Sequence, residues 1–391
     1  MWVSSVGAVA SRYGYRVDFV EYLARFFSLG YIEDLFRSLE TPGSRYFFRV
    51  NTLKVRPEDL LEELREEGLK VYRHDRLPEA FYVPVEGPFE VRLLPGKVYV
   101  DKKTAESVYV GANVFAPGVT KVENAREGDL VSVIAPGGRV VAEGVLSMDP
   151  SRVFSERKGL AVRVVRSVYR AVSLRETRYF DEGLIYHQSL PSMVAVRLLD
   201  PQPGWTVLDM CAAPGGKTTH AAQLMGDHGE VIAVDRTKSK VDTIMEHARR
   251  LGLKSVKGLV YDSRYISEYL DKDSVDAVII DPPCTALGVR PKLWYERGFD
   301  DVLKLSDYQR QFLREAAKVL RRGGRLLFTT CTISPYENEF NVIFAASYLG
   351  LKPLPLSFPP VKSGLLGTGS LQFVPHEHDT PGFFIALFEK R

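Results

Sequence analysis

The chain has 391 residues, 45% of them hydrophobic, enough for more than one core, so two or three domains are expected. No apolar run approaches the roughly 20 residues of a membrane span, and residues 1–13 lack a basic stretch followed by an apolar signal core, which places the protein in the cytoplasm. Three widely spaced cysteines fit reduced thiols rather than a disulfide framework or a zinc site, and a net charge of +3 is too small to mark a nucleic-acid binder by itself.

In chain order, residues 46–51 read as extended, and residues 57–67, opened by proline and stopped by Gly68, read as a helix. They predict a small α/β unit over residues 1–93. Residues 94–170 carry short β-branched runs at 130–134, 140–142 and 160–165, separated by Ala116-Pro117-Gly118, Pro136-Gly137-Gly138 and Met148-Asp149-Pro150. That spacing predicts a compact β-barrel-like module. Residues 95–170 hold 12 Lys/Arg against 8 Asp/Glu, an excess that suits RNA phosphates and equally a solvated face.

After Leu184 strands alternate with helices, which predicts an α/β domain with a Rossmann-like parallel sheet, its bounds set at residues 171–391. Strands are expected at 206–208, 231–234, 275–280 and 325–329, and a helix at 306–320. In that helix Ser306 and Gln309 match a capping box, and Tyr308, Phe312, Leu313, Ala316, Val319 and Leu320 form one apolar stripe.

The strand ending at Asp209 runs into Met210-Cys211-Ala212-Ala213-Pro214-Gly215-Gly216-Lys217-Thr218 and then a helix start. Small residues at a strand's carboxyl end let a ligand approach the backbone. A P-loop would need glycine where Cys211 stands, and G-x-G-x-x-G is absent, so both phosphate-binding loops are disfavoured. Asp235, 19 residues beyond Gly216 at the end of the second strand, suits ribose hydroxyls. A nucleoside without phosphates, such as S-adenosylmethionine, fits this combination. Asp262, after the third strand, suits the adenine side and equally a turn or helix cap.

Cys284 closes Asp281-Pro282-Pro283-Cys284 and Cys331 closes Thr329-Thr330-Cys331, both at strand ends. A thiolate adds to electron-poor ring carbons, so this pairing suggests covalent chemistry on a nucleobase, although a lone free cysteine is usually a small buried hydrophobe. His376 and His378 alternate without a third ligand, which argues against a metal.

With Cys-Ala-Ala-Pro-Gly-Gly-Lys-Thr at 211–218, Asp-Pro-Pro-Cys-Thr at 281–285 and Thr-Thr-Cys-Thr-Ile-Ser-Pro-Tyr-Glu-Asn-Glu at 329–339, the chain closely resembles the Sun-type RNA cytosine-5 methyltransferases. The likeness covers residues 183–391. It extends to Arg49-Val50-Asn51-Thr52-Leu53, which resembles that family's amino-terminal RNA-recognition segment, while residues 98–168 resemble a PUA domain. The resemblance implies a PUA-bearing enzyme methylating tRNA near the acceptor end, with the PUA domain and the amino-terminal segment docking the RNA. It implies S-adenosylmethionine held by Cys211, Ala212, Ala213, Pro214, Gly215, Gly216, Lys217, Asp235, Lys240, Asp262 and Asp281. By the same resemblance Cys331 is the nucleophile, Cys284 assists release as the base, Asp281 meets the cytosine edge, Lys217 supports it, and Cys211 is a packing residue. A Pro-Cys nucleophile would instead favour Cys284. Alternatives are an rRNA cytosine-5 methyltransferase, a non-catalytic RNA-binding or assembly factor, which the intact Asp281, Cys284 and Cys331 oppose, and an amino methyltransferase, for which an aromatic rather than Cys284 would follow Asp-Pro-Pro.

Overall fold

The computed structural model describes residues 5–391, and its largest element is a sheet in the C-terminal half. Its strand order is Val256–Val260, Glu230–Asp235, Thr206–Asp209, Val275–Ile280, Leu320–Thr330, Phe383–Lys390 and Leu351–Leu354, with Leu371–Phe373 paired beside Phe383–Lys390. The first five strands are parallel, and Phe383–Lys390 runs antiparallel to its neighbours. Alternate residues feed opposite cores: Val207, Val231, Ala277 and Ile279 one face, Leu208, Val234, Val278 and Ile280 the other. Burial on both faces is why these strands read as continuous apolar runs. The chain leaves Thr206–Asp209 toward one edge and returns beside it as Val275–Ile280, so the strand order reverses there, and the carboxyl ends around that crevice are where an open α/β sheet holds ligands.

The expected helix at 306–320 begins earlier. It spans Phe299–Val319, with the Gly298 N–H donating to the Asp301 carboxylate at 2.9 Å. Ser306 and Gln309 therefore form no capping box; both are buried in mid-helix, and their side chains bond elsewhere.

The described chain opens with three helices, Val6–Tyr13, Val17–Ala24 and Leu29–Leu39. Their buried Phe19, Tyr22, Leu35 and Phe36 pack against Leu287, Tyr295, Val302 and Ile333 of the C-terminal half. Next, Arg45–Val50 pairs antiparallel with Ala80–Glu86, and the helix Pro57–Glu66 covers this hairpin. Two later segments complete the small sheet: Arg170↔Glu86 on one side and Val50↔Ile185 on the other. The expected boundary at residue 171 is corrected accordingly. Arg170–Ala171 and Ile185–Tyr186 belong to the N-terminal sheet because their backbone partners lie there.

Between Glu86 and Arg170 the chain folds a separate six-stranded module in the order Val114–Phe115, Leu160–Ser167, Val140–Leu146, Leu130–Ile134, Lys97–Val100 and Val119–Glu123. Val98, Val131, Val133, Val141 and Val162 fill its own core. The barrel-like module is thus inserted into the N-terminal unit. No helix among the described residues is long and apolar enough to cross a membrane.

Candidate active site

Because Val275–Ile280 and Leu320–Thr330 are adjacent and parallel, the residues after their carboxyl ends emerge side by side. The sulfurs of Cys284 and Cys331 lie 3.1 Å apart, in contact but outside the ~2.05 Å of a bond. The residue after each cysteine is tied to its counterpart, Thr285 Oγ1 to Thr332 Oγ1 at 2.8 Å, and the Gly288 N–H donates to the Cys331 carbonyl at 2.9 Å. Cys284 is buried, and its thiol is pushed up by the neighbouring Cys331 and then by burial, so it stays protonated in the resting protein.

Lys217 Nζ donates to Asp281 Oδ2 at 2.5 Å and faces the Phe383 ring, its centroid 5.1 Å away, while Asp281 Oδ1 accepts from Thr329 Oγ1 at 3.1 Å. Asp281 is thus an oriented carboxylate beside the sulfur pair. Behind it, buried Asp209 accepts from Thr218 Oγ1 at 2.7 Å, and burial pushes its carboxyl up to about 6.

Glu337 holds the cysteine loops from below. Fully buried, its carboxyl accepts from the Thr285 N–H at 2.8 Å, from Thr285 Oγ1 at 2.6 Å and from Gln309 Nε2 at 3.1 Å. Gln309 also donates to the Pro283 carbonyl at 3.0 Å, and Ser306 Oγ donates to the Tyr336 carbonyl at 2.7 Å. The pattern read as a helix cap is therefore a buttress for both cysteine segments. From the other side Tyr22 OH meets Ser334 Oγ at 2.7 Å and accepts from the Tyr336 N–H at 3.1 Å, so the N-terminal helices brace the Cys331 loop too. Sequence reasoning quoted Glu337 within its motif but gave it no role; an acid following two strand-end threonines was the available signal.

Residues 211–216 form the strand-to-helix turn expected there. Ala212 N–H donates to Val234 O at 3.0 Å and Gly215 N–H to Ala212 O at 2.7 Å, folding Cys211 to Gly216 into a tight turn before the helix Gly216–Leu224. Gly215 sits at φ 107°, a conformation that favours glycine. Apart from Cys211 and Pro214, the turn offers only methyls and bare backbone, a surface that fits a close-lying nucleoside. Burial raises the Cys211 thiol well above its ordinary value, and the residue packs against the core beneath. Asp235 ends its strand with Lys240 Nζ 3.3 Å from its carboxylate. Asp262 caps the turn that follows it: its carboxylate accepts from the Arg264 N–H at 3.1 Å and from the Arg264 guanidinium at 2.6 Å. An adenine amino group would have to share those oxygens.

The Arg49-to-Leu53 segment departs from its expected role. Arg49 and Asn51 are 1% and 2% exposed and face inward. Arg49 donates to the Gly216 carbonyl and to Thr219 Oγ1, both at 2.9 Å, while Asn51 donates to the carbonyls of Gly183 and Leu251. Farther along the same helix, His220 Nε2 lies 3.2 Å from Glu79, and Gln223 donates to the Val50 carbonyl at 3.0 Å. Gly216, Thr219, His220 and Gln223 recur at helical spacing, so the N-terminal unit grips one whole face of the helix Gly216–Leu224. These two motif side chains are used up inside the protein and cannot meet RNA.

Residues 196–389 match the family described as 16S rRNA methyltransferase RsmB/F, and residues 96–168 match the PUA domain. A tRNA (cytosine(72)-C(5))-methyltransferase of Pyrococcus horikoshii is 42% identical over 95% of this chain and 95% of its own. The mouse tRNA (cytosine(72)-C(5))-methyltransferase NSUN6 is 32% identical over 86% of this chain and 78% of its own. The crystal structure of NSun6 from Pyrococcus horikoshii, determined with the S-adenosylmethionine analogue SFG, superposes with a TM-score of 0.86 over 95% of this chain and 97% of that one, at 42% identity. With the matched domains, the cofactor turn and the paired thiols in place, the chain belongs to the RsmB/F, or Sun-type, family of S-adenosylmethionine-dependent RNA cytosine-5 methyltransferases, as a member carrying a PUA domain.

Proposed function

We propose that the protein methylates carbon 5 of a cytosine in tRNA near the acceptor end, at position 72, the position that names its relatives, through Cys331 as nucleophile and Cys284 as base. The observation that carries this reading is the pair of free thiols 3.1 Å apart beside the Lys217–Asp281 pair. Carbon 5 of cytosine is a poor nucleophile until a thiolate adds to carbon 6. Cys331 gives up its proton as it forms that carbon–sulfur bond, nitrogen 3 takes one up and so neutralises the electrons displaced onto the ring, and Asp281 accepts from that N–H and from the cytosine amino group. S-adenosylmethionine supplies the methyl group that carbon 5 takes. Cys284 then removes the carbon 5 proton, and the electrons released re-form the ring double bond as Cys331 leaves. Cys284 is held protonated by the neighbouring Cys331 and by burial, so it gives up its own proton to solvent before it takes the one on carbon 5. The tRNA assignment is supported by similarity that runs through the PUA module as well as the methyltransferase unit.

Bisulfite sequencing of tRNA and rRNA treated with enzyme and S-adenosylmethionine tests the reading. Protection of cytosine 72 in tRNA is expected; protection confined to rRNA would transfer the activity there. For the cofactor, Asp235→Ala is expected to weaken S-adenosylmethionine binding by about 1.5 to 3 kcal/mol, the range for hydrogen bonds to a charged acceptor. Calorimetry reads this directly, and unchanged affinity would remove Asp235 from the ribose site.

A further inference from the structure

A cavity of about 30 Å³ lies where the three units meet, lined by Tyr13 and Glu40 from the N-terminal helices, Arg139 from the PUA module, and Lys292, Trp294 and Tyr295 from the segment after Cys284. That segment is pinned on both sides. Leu293 packs against the PUA core with its N–H on Glu106 at 3.1 Å, and Tyr295 is buried in the helical core. The Lys292 N–H donates to the Leu39 carbonyl at 2.7 Å, which fixes where its side chain starts.

Lys292 is 7% exposed, yet among the described residues its ammonium has no hydrogen bond and no carboxylate within 4 Å; the Tyr295 ring centroid lies 5.3 Å away. A buried cation with no carboxylate in direct contact is costly, and burial pushes this one down to about 8, with Glu106, its charge partner beyond 4 Å, and then the two reactive cysteines drawing it back up. The ammonium thus stands within electrostatic reach of the sulfur pair. The cavity has room for one water-sized group, so a base does not enter, but an oxygen atom does. Arg139, bonded to Tyr109 OH at 2.6 Å, lines the cavity as a second cation against the one carboxylate of Glu40, and Trp294, 40% exposed, adds an aromatic face; cation and aromatic together are what tracks a nucleic-acid strand.

We propose that Lys292 receives a phosphate oxygen of the RNA nucleotide adjoining the target cytosine, making the junction of the PUA and methyltransferase units a phosphate subsite. The inference rests on tRNA being the substrate. Steady-state methylation of a tRNA transcript by the full chain, measured across a salt series, compares wild type with Lys292→Met and Lys292→Arg. Lys292→Met is expected to raise KM for RNA about tenfold at constant kcat and constant KM for S-adenosylmethionine, and to lower the salt slope by about one, as for loss of a single phosphate contact. Lys292→Arg keeps the cation and restores both. Should Lys292→Met fail to bind S-adenosylmethionine, Lys292→Gln gives the same comparison. Unchanged KM and salt slope in the Met or Gln variant overturn the proposal. So does a fall in kcat at constant KM with a shifted pH profile of Cys331 alkylation in RNA-free protein, since the ammonium would then serve the nucleophile. A wild-type enzyme that leaves every tRNA cytosine unmethylated overturns the substrate reading and this proposal together, a pattern distinct from the other two.

Discussion

Cys284→Ala, incubated with S-adenosylmethionine and tRNA, is expected to accumulate a protein–RNA adduct that survives denaturing electrophoresis, whereas Cys331→Ala yields none. The two sulfurs touch, so proximity alone cannot assign them; the step at which each loss stops the reaction can. Without Cys331 no bond to carbon 6 forms, and turnover falls by three orders of magnitude or more, roughly the cost of removing a covalent nucleophile. Without Cys284 the bond forms and the methyl group transfers, but the carbon 5 proton stays and the enzyme remains attached. The double variant should behave like Cys331→Ala. An adduct from Cys331→Ala but not from Cys284→Ala would make Cys284 the nucleophile, and no adduct from either would reduce both thiols to packing.

Glu337→Ala is expected to lower methylation about a hundredfold, the scale of a reacting group displaced by about an ångström, although Glu337 touches no substrate. Its removal strands the Thr285 N–H and the Gln309 amide in the interior, costing on the order of 3 to 5 kcal/mol of stability and releasing both cysteine loops. Glu337→Gln separates positioning from charge. The amide keeps an oxygen for the Thr285 N–H and Gln309 and offers a donor to Thr285 Oγ1, so activity should be largely retained. Burial pushes the Glu337 carboxyl up to about 7 from its ordinary 4.5, so between those values the folded protein binds more protons than the unfolded chain. The stability this group contributes is complete below pH 4.5 and is lost as pH rises through 7. Glu337→Gln should flatten that slope in denaturant unfolding measured between pH 5 and 8. A parallel decline in both proteins would assign the pH dependence to other groups.

The parallel strands were legible because burial on both faces leaves unbroken apolar runs such as Val275–Ile280, and the meeting of Cys284 with Cys331 followed from two motifs ending adjacent strands. The strand that ends at Asp235 and the strand-to-helix turn at 211–216 were legible as an apolar run and a cluster of small residues. What escaped depends on partners distant in the chain. Arg49 looks like an RNA-facing cation until Gly216 and Thr219 close over it, and Ser306 with Gln309 imitates a helix start because the residues they brace, Tyr336 and Pro283, come from other segments. The opening helices Val6–Tyr13 and Val17–Ala24 are short, and their packing partners include Tyr295 and Ile333. Leu29–Leu39, by contrast, did carry a local signal, a Ser28 cap and Ile32, Leu35, Phe36 and Leu39 at helical spacing, that sequence reasoning passed over. Lys292 carries no motif at all, and only its burial without a hydrogen bond or a carboxylate in contact singles it out.

The insertion of the PUA module between Glu86 and Arg170 also orders the chain in time. During synthesis the module is complete and free to close once residue 168 has emerged, while the sheet that surrounds it in sequence still lacks Arg170–Ala171 and Ile185–Tyr186. The inner unit can therefore fold before the outer one, on the ribosome and without help from it. The N-terminal strand waits for the helix that Arg49 and Glu79 grip, and the opening helices wait longer still, for Tyr295 and Ile333. A nascent chain halted near residue 175 would carry a finished RNA-binding module on an unfinished frame, with Arg49 still solvated and no cofactor pocket to hold.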